Sequence, residues 1–191
     1  MRDFENSIPR TIVLIGMMGV GKTSIGRKLA KRLDVEFKDS DQAVEDAAKC
    51  TIADIFEIYG EKAFRDVEYR VISRLLGEKV HVLATGGSAF ADPETQKLIK
   101  ERGISIWLKA DYETLLPRIE RRDHRPQFGD GDVGEQLQEL IDKYSPHYDK
   151  ADIKVDCNDT SPEATANKII LELNRFVSKI QSSGGQKIHH V

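Results

Sequence analysis

The stretch TIVLIGMMGVGKTS, from Thr11 to Ser24, decides the fold. Its first five residues include the uninterrupted apolar run Ile12 to Ile15, which is typical of a strand buried on both faces. The residues from Gly16 to Thr23 match the pattern GxxxxGK[ST] at every fixed position. A strand, a glycine-rich turn and the start of a helix follow one another directly, so we expect an α/β protein with a mainly parallel sheet.

The glycine-rich turn has the properties of a phosphate-binding loop (P-loop). Its glycines allow successive backbone N–H groups to point into one concavity, and the following helix presents the positive end of its dipole there. In such a loop Lys22 reaches the β- and γ-phosphates, and the Thr23 hydroxyl binds Mg²⁺. The alternative is a glycine-rich turn without a ligand, and the strand before it and the helix after it argue against that.

Four further short apolar runs predict the remaining strands of the sheet. They are Val35 to Phe37, Val80 to Thr85, Ile104 to Leu108 and Ile153 to Val155. Between the runs, apolar residues recur at spacings of three and four, which predicts amphipathic helices against the sheet. Thr51, with Asp54 three residues later, predicts a helix start, and Gly60 divides that helix from the next. We expect a three-layer α-β-α fold with a five-stranded, mainly parallel sheet.

Composition restricts the class of protein. The chain has 191 residues, of which 39% are apolar, and its net charge is −3. Because affinity for nucleic acids comes from clustered Lys and Arg, this balance argues against a nucleic-acid partner. No run approaches the roughly 18 apolar residues of a membrane span, and no signal peptide is recognisable. Cys50 and Cys157 are far apart, as is typical of a reducing compartment, so we expect a cytoplasmic protein without a membrane partner.

We expect a single domain over residues 1–178. Residues 123–134, DHRPQFGDGDVG, are rich in Gly and Asp and lie between helical segments. A loop of this length is usually functional. Residues 179–191 show no periodic pattern, so we expect a disordered C-terminal tail.

Two acidic residues, Asp39 and Asp41, follow the second predicted strand. Because the carboxyl ends of parallel strands line the ligand crevice of an open sheet, both side chains should face the ligand of the P-loop. Asp39 could hold Mg²⁺ through water, and Asp41 could act as general base towards a substrate hydroxyl. The alternative is that both residues only cap the following helix.

Three further groups of residues are candidates for ligand contact. Arg65 and Glu68 share a helix face, where they could grip a carboxylate or form an ordinary surface ion pair. Gly86 and Gly87 end the third strand and let a bound molecule approach the backbone, although a plain turn would use them too. Arg125, in the glycine-rich loop, could close over a nucleotide and stabilise developing charge; a solvated surface charge is the alternative.

Taken in order, these motifs resemble the shikimate kinase family, a P-loop group whose fold is similar to that of nucleoside monophosphate kinases. The matching stretches are GMMGVGKT (16–23), FKDSD (37–41), IADIFEIYGEKAFRDVE (52–68), ATGG (84–87), RP (125–126) and SPHYDKAD (145–152). The resemblance extends from about residue 12 to residue 176. Several motifs in one order are more specific than a P-loop alone.

The resemblance implies a kinase that transfers the γ-phosphoryl group of ATP to the 3-hydroxyl of shikimate, in the pathway to chorismate and the aromatic amino acids. Asp41 is the implied base, and Lys22 and Arg125 stabilise the transition state. The residues implied in ATP binding are Gly19, Val20, Gly21, Lys22, Thr23, Ser24, Arg118, Arg125 and Pro162. Those implied in shikimate binding are Asp41, Arg65, Glu68, Gly86 and Gly87, and those implied in Mg²⁺ binding are Thr23 and Asp39.

Further implied roles concern orientation and closure. Glu68 orients Arg65, and Arg118 lies near adenine together with residues 158–162. Residues 123–134 correspond to a lid that closes over the nucleotide. The expected partner is the small-molecule substrate, and we expect a monomer.

The chain departs from the family pattern at two positions. Ser88 stands where the family has a third glycine after ATGG, and Tyr144 stands where the pattern R-x-P-x-Y has the arginine that binds the shikimate carboxylate. Lys143 could replace it as a point charge, but it lacks the planar pair of donors of an arginine. Two alternatives therefore stay open: a kinase for another small polyhydroxy acceptor, and a nucleotide-binding domain without catalysis.

Overall fold

A computed structural model describes residues 8–121 and 131–184. In this part of the chain five strands form one sheet: β1 (Thr11–Ile15), β2 (Glu36–Asp39), β3 (His81–Ala84), β4 (Gly103–Lys109) and β5 (Ile153–Asp156). The strands are ordered β2-β3-β1-β4-β5, and every neighbouring pair is parallel. The expectation of a five-stranded parallel sheet is confirmed, and the predicted strand ends lie within two residues of the observed ones.

Within the described ranges, helices connect the strands. They are α1 (Lys22–Leu33), α2 (Ser40–Ala48), α3 (Ile52–Leu75), α4 (Pro93–Arg102), α5 (Tyr112–Glu120), α6 (Val133–Tyr148) and α7 (Pro162–Gly184), with a 3-10 turn at Ala89–Ala91. Parallel strands need such crossovers, and these cover both faces of the sheet, which gives the three-layer architecture. None of these helices is both long and apolar enough to cross a membrane.

Strand β1 lies at the centre of the sheet and of the core. Ile12, Val13, Leu14 and Ile15 have no exposed surface, and β1 pairs with β3 on one side and β4 on the other. Helix α1 packs closely on this layer at Gly26, where a Cβ would lie 2.5 Å from Cε2 of Phe37. The P-loop therefore begins at the end of a fully buried, central strand.

The start and the interruption of α3 follow the sequence prediction. Thr51 and Asp54 form a reciprocal capping box, in which each side chain accepts a hydrogen bond from the backbone N–H of the other. Gly60 has φ 80° and ψ 174°, so it interrupts the helix at the predicted place. An N-terminal segment, Ile52 to Tyr59, thereby meets the rest of α3 at an angle.

Two predicted boundaries differ from the observed helices. Helix α6 begins at Val133, because the Asp132 side chain accepts from the N–H of Glu135 at 2.9 Å and caps it, so the last two residues of the predicted lid are helical. Helix α7 continues to Gly184, past the expected domain end at residue 178; Val177 is its last buried residue, and residues 178–182 are exposed. Residues 122–130, with Arg125 and most of the predicted lid, lie outside the described residues, as do residues 185–191.

Candidate active site

The P-loop leaves the carboxyl end of β1 in a conformation that favours glycine. Gly16, Gly19 and Gly21 have φ values of 140°, 80° and 100°. A Cβ on Gly16 would lie 2.6 Å from the carbonyl oxygen of Leu108, so the close packing of the loop also excludes a side chain there. Gly21 precedes α1 without a side-chain cap, so the helix presents its first N–H groups to an anion in the loop.

Lys22 lies across the P-loop. Its Nζ donates to the carbonyl oxygens of Gly16, at 2.7 Å, and Met17, at 3.0 Å. These bonds hold the positive charge beside the loop N–H groups. The structure thus combines an ammonium group and a helix N-terminus at one place, as phosphate binding requires.

Thr23 and Asp39 come from α1 and the end of β2, and their side chains meet. Thr23 Oγ1 donates to Asp39 Oδ2 at 3.2 Å. The other oxygen, Asp39 Oδ1, accepts from the N–H of Asp41 at 3.1 Å and caps α2. Asp39 therefore caps α2 with one oxygen, as the alternative from the sequence expected, and contacts the first turn of α1 with the other. A hydroxyl and a carboxylate side by side are the oxygen ligands that Mg²⁺ prefers.

Asp41 and Glu68 approach the same glycine. A Cβ on Gly86 would lie 2.7 Å from Asp41 Oδ1 and 3.2 Å from Glu68 Oε1. The N–H of Gly86 donates to Ser40 Oγ at 3.2 Å, which fixes the turn after β3 against α2. Burial raises the pKa of Asp41 and the nearby charge of Asp39 raises it further, whereas the charge of Lys22 lowers it. Asp41 thus lies within the electrostatic reach of the P-loop lysine.

Arg65 is held by a buried acid and an aromatic ring. Its Nη1 donates to Glu68 Oε2 at 2.7 Å, and its guanidinium lies 5.2 Å from the centre of the Phe64 ring. Phe56 packs against Phe64 with ring centres 4.6 Å apart. Glu68 is only 1% exposed, and burial raises its pKa while the bond to Arg65 lowers it. The pair therefore differs from the ordinary surface ion pair that was the alternative.

One cavity at the carboxyl edge of the sheet contains the predicted acceptor and metal residues. Its lining includes Thr23, Asp39, Asp41, Arg65, Gly86 and Gly87. They come from α1, β2, α2, α3 and the turn after β3, which the parallel topology brings to the same edge. We call it the acceptor cavity.

A second cavity flanks the P-loop at its glycines. Its lining includes Gly19, Val20, Gly21, Ser24, Arg118 and Pro162, all of which the resemblance implies in ATP binding. Asn158 is not in this lining, and its side chain accepts from the N–H of Asp111 at 2.9 Å and donates to the Asp111 carboxylate at 2.7 Å. These bonds tie the loop after β5 to the start of α5.

Some residues line these cavities although the sequence did not predict a place for them there. The buried Tyr148 hydroxyl donates to the carbonyl oxygen of Gly87, and the Tyr148 ring contacts Trp107 and Tyr144. Cys157 lines the second cavity, and burial raises the pKa of its thiol to about 11. No local pattern signals these contacts; the Gly87–Tyr148 bond joins residues 61 positions apart in the sequence.

Both departures from the family pattern lie at the acceptor cavity. Ser88 and Tyr144 line it, close to Gly87. Lys143 is exposed, and its Nζ lies 5.3 Å from the centre of the Tyr144 ring, outside the described lining of the cavity. Tyr144 therefore faces the acceptor side, whereas Lys143, considered above as a replacement for the arginine, does not line the cavity.

Comparisons with known proteins agree with this geometry. The sequence model of the family described as shikimate kinase matches residues 18–174. A shikimate kinase from Paramagnetospirillum magneticum is 49% identical over 163 residues, covering 85% of this chain and 84% of that protein. One from Caulobacter vibrioides is 50% identical over 162 residues, covering 85% and 80%. The structure of shikimate kinase from Acinetobacter baumannii in complex with shikimate matches with a TM-score of 0.84 and 36% identity, covering 91% of this chain and 97% of that one. The chain therefore belongs to the shikimate kinase family.

Proposed function

We propose that this protein transfers the γ-phosphoryl group of ATP to the 3-hydroxyl of shikimate. The observation that carries the proposal is the position of Asp41. Its side chain lines the acceptor cavity together with those of Thr23 and Asp39, and the charge of Lys22 lowers its pKa. An acid beside a phosphate-binding loop aligns an alcohol for attack on a terminal phosphate. Membership of the family supports the same reaction.

The proposed reaction follows from the position of Asp41 in the acceptor cavity and of Lys22 beside the P-loop. Asp41 accepts a hydrogen bond from the 3-hydroxyl and takes its proton as the new O–P bond forms. The bond between the γ-phosphorus and the bridging oxygen breaks at the same time, and ADP leaves with that electron pair. Lys22 and the P-loop N–H groups stabilise the phosphate oxygens, so positioning and charge neutralisation supply most of the catalysis.

Thr23 and Asp39 are the residues that we propose for Mg²⁺. Their oxygens lie 3.2 Å apart at the start of α1, next to the P-loop. The ion, when bound, neutralises charge on the β- and γ-phosphates. Asp39 keeps its other oxygen on the N–H of Asp41, so the same side chain fixes the position of the base.

We assign the shikimate carboxylate to Arg65. The bond to Glu68 and the Phe64 ring restrict the guanidinium, and Arg65 lines the acceptor cavity, so donors remain for a planar carboxylate. Tyr144 offers one neutral hydroxyl where the family pattern has an arginine. The arginine variant Y144R should therefore lower the KM for shikimate.

The nucleotide base is assigned to the second cavity, between Arg118 and Pro162. Both residues line it beside Gly19 and Gly21 of the P-loop, so a nucleotide with its phosphates in the loop reaches them. Arg125, outside the described residues, is proposed as a further cation at the transferred phosphoryl group, within a lid over the nucleotide.

We further propose one kinase domain that works as a cytoplasmic monomer on small molecules. The single sheet supports one domain. The net charge of −3 and the isolated cysteines, one half-buried and one buried, support a reducing compartment without a nucleic-acid partner.

Coupled detection of ADP release, with ATP, Mg²⁺ and varied shikimate, tests the activity. We expect ADP release that depends on shikimate, and its abolition in Asp41→Asn and Lys22→Met. Asp142→Asn and Lys97→Met are matched controls, because both wild-type side chains are exposed on helices outside the lining of the acceptor cavity. ADP release that shikimate does not increase would refute the proposal.

A further inference from the structure

The described lining of the acceptor cavity is negatively charged. Eight Asp and Glu side chains line it against four Lys and Arg side chains, which gives a net charge of −4 when all are ionised. A Mg²⁺ ion at Thr23 and Asp39 would leave this balance negative. The lining as a whole therefore repels an anionic acceptor, whose carboxylate depends on local cations for its binding.

Arg65, the cation that we assign to the carboxylate, already has two anionic partners. Its Nη1 donates to Glu68 Oε2 at 2.7 Å, and its Nη2 donates to Glu61 Oε1 at 3.4 Å. The two glutamates together carry more charge than the one guanidinium, so the group offers hydrogen-bond donors without a net positive charge. Such donors also bind the oxygen of a neutral carbonyl group.

The other cations of the lining have contacts of their own. Lys38 and Arg74 both form ion pairs with Glu78, and the Arg74–Glu78 distance is 3.8 Å. The guanidinium of Arg27, on α1, lies 5.8 Å from the centre of the Phe37 ring. We therefore assign no carboxylate contact to these three side chains.

Tyr144 places a neutral group where the pattern R-x-P-x-Y has its second carboxylate-binding cation. Its ring lies 6.2 Å from that of buried Tyr148, whose hydroxyl donates to the Gly87 carbonyl oxygen at the cavity. A phenol hydroxyl donates equally well to a charged and to a neutral oxygen acceptor in geometry, and it adds no charge. Lys143 does not supply the missing charge, because its Nζ lies beside the Tyr144 ring, outside the described lining.

We propose that the acceptor site accepts an uncharged group at the carboxylate position, so that this protein also phosphorylates neutral cyclic polyols, and that Tyr144 is the residue that determines this specificity. The inference rests on the proposed function, in which Asp41 holds the reacting hydroxyl and Arg65 meets the carboxylate. The transfer itself is unchanged. The hydroxyl oxygen bonds to the γ-phosphorus, its proton goes to Asp41, and ADP leaves with the electron pair of the broken P–O bond.

The carboxamide of shikimate is the matched probe for this inference. It has the planar shape of the acid and an oxygen that accepts from Arg65, but it carries no charge. Because a hydrogen bond to a charged group is about twice as strong as a neutral one, we expect wild-type kcat/KM to favour the acid by no more than about tenfold. An arginine at position 144 would form a second charged pair with the acid alone. In Tyr144→Arg the preference should therefore rise by a further 10- to 100-fold, roughly the contribution of one such bond.

The test measures kcat/KM for shikimate and its carboxamide by coupled ADP release, with the phosphorylated products identified by mass spectrometry. A wild-type preference for the acid above tenfold would overturn the inference, and this measurement needs no variant. Y144R protein that is folded, as judged by its Tm, and keeps the wild-type preference would overturn the role of Tyr144.

Lys143→Met tests whether the lysine beside Tyr144 supplies the charge instead. We expect both values of kcat/KM in K143M to stay within about twofold of the wild type, because Lys143 is exposed and does not line the cavity. A fall for shikimate without a fall for the carboxamide would show that Lys143 binds the carboxylate, and would overturn the inference.

The failure of the proposed function is distinguishable from the failure of this inference. If the wild type turns over neither compound, the proposed function is wrong and the inference falls with it. If it turns over shikimate and rejects the carboxamide, the function stands and the inference is overturned. Turnover of the carboxamide alone would overturn shikimate as the acceptor and support a site for neutral polyols.

Discussion

The substitution Gly86→Ala tests the acceptor site with the smallest change that the chain allows. The added methyl group would lie 2.7 Å from Asp41 Oδ1. Non-bonded heavy atoms settle at about 3.5 Å, so the carboxyl group must retreat by roughly 0.8 Å. Glu68 Oε1, at 3.2 Å from the same methyl group, must give way by less. The substitution therefore displaces the proposed base and leaves its chemistry unchanged.

A misplacement of about 1 Å at a catalytic group costs on the order of 100-fold in rate. We expect kcat/KM for shikimate to fall by about 30- to 100-fold. The fall should be mainly in kcat, because the substitution does not displace Arg65, the residue proposed to bind the carboxylate. Since the contacts involve the ends of side chains and no backbone, Tm should change by no more than about 4 °C.

The assay is coupled ADP release, with Tm measured on the same preparations. Gly77→Ala is the matched control, because a Cβ there meets the carbonyl oxygens of Arg74 and Ser73 at 3.4 and 3.8 Å, ordinary contact distances, in a turn outside the acceptor cavity. It should keep wild-type kcat/KM. Folded Gly86→Ala protein that retains more than a third of wild-type kcat/KM would show that the position of the Asp41 carboxyl group does not limit the reaction.

Three further substitutions test the fold around the site. His81 is buried, and its Nδ1 donates to the carbonyl oxygen of Lys79 at 2.9 Å. Burial lowers the pKa of the His81 imidazole, so the unfolded state binds a proton at a higher pH than the folded state does. The free energy of unfolding, measured in urea, should therefore be lower at pH 5.5 than at pH 7.5. If the His81→Gln variant showed the same decrease between the two pH values, His81 would not be its cause. Gly26→Ala places a methyl group 2.5 Å from Phe37 Cε2, which should cost about 1–3 kcal/mol of unfolding free energy; an unchanged urea midpoint would refute the packing argument. Tyr148→Phe leaves the Gly87 carbonyl without its donor, and we expect a loss of about 1–3 kcal/mol together with a higher KM for shikimate. An unchanged KM for shikimate in Tyr148→Phe would show that the hydrogen bond from Tyr148 to Gly87 does not contribute to acceptor binding.

Local chemistry explains why much of the site was predictable. The P-loop is recognised because a buried strand, glycines with positive φ and a helix start follow one another within the residues from Thr11 to Thr23. Asp39 and Asp41 were predictable because parallel strands end at one edge of a sheet. The Thr51 capping box and the interruption at Gly60 also depend on neighbouring residues alone.

Contacts between distant segments were not predictable from the sequence. Tyr148 stands at the tyrosine of the pattern R-x-P-x-Y, but the pattern does not tell what its hydroxyl binds; only the packing of α6 beside the turn after β3 brings that hydroxyl to Gly87. Cys157 reaches the second cavity because β5 ends beside the P-loop. The serine-rich end of α7 weakens the helical pattern, although Val177 still packs on the core.

The two carbonyl bonds of Lys22 have a consequence for the first encounter with a nucleotide. They restrain the backbone of the loop, so little conformational entropy should be lost when a triphosphate binds. On binding of the triphosphate, the Lys22 ammonium group should exchange its hydrogen bonds to the two neutral carbonyl oxygens for bonds to anionic phosphate oxygens. Because bonds to neutral carbonyl oxygens are weaker than bonds to phosphate oxygens, this exchange favours binding, and Lys22 itself stays in the site.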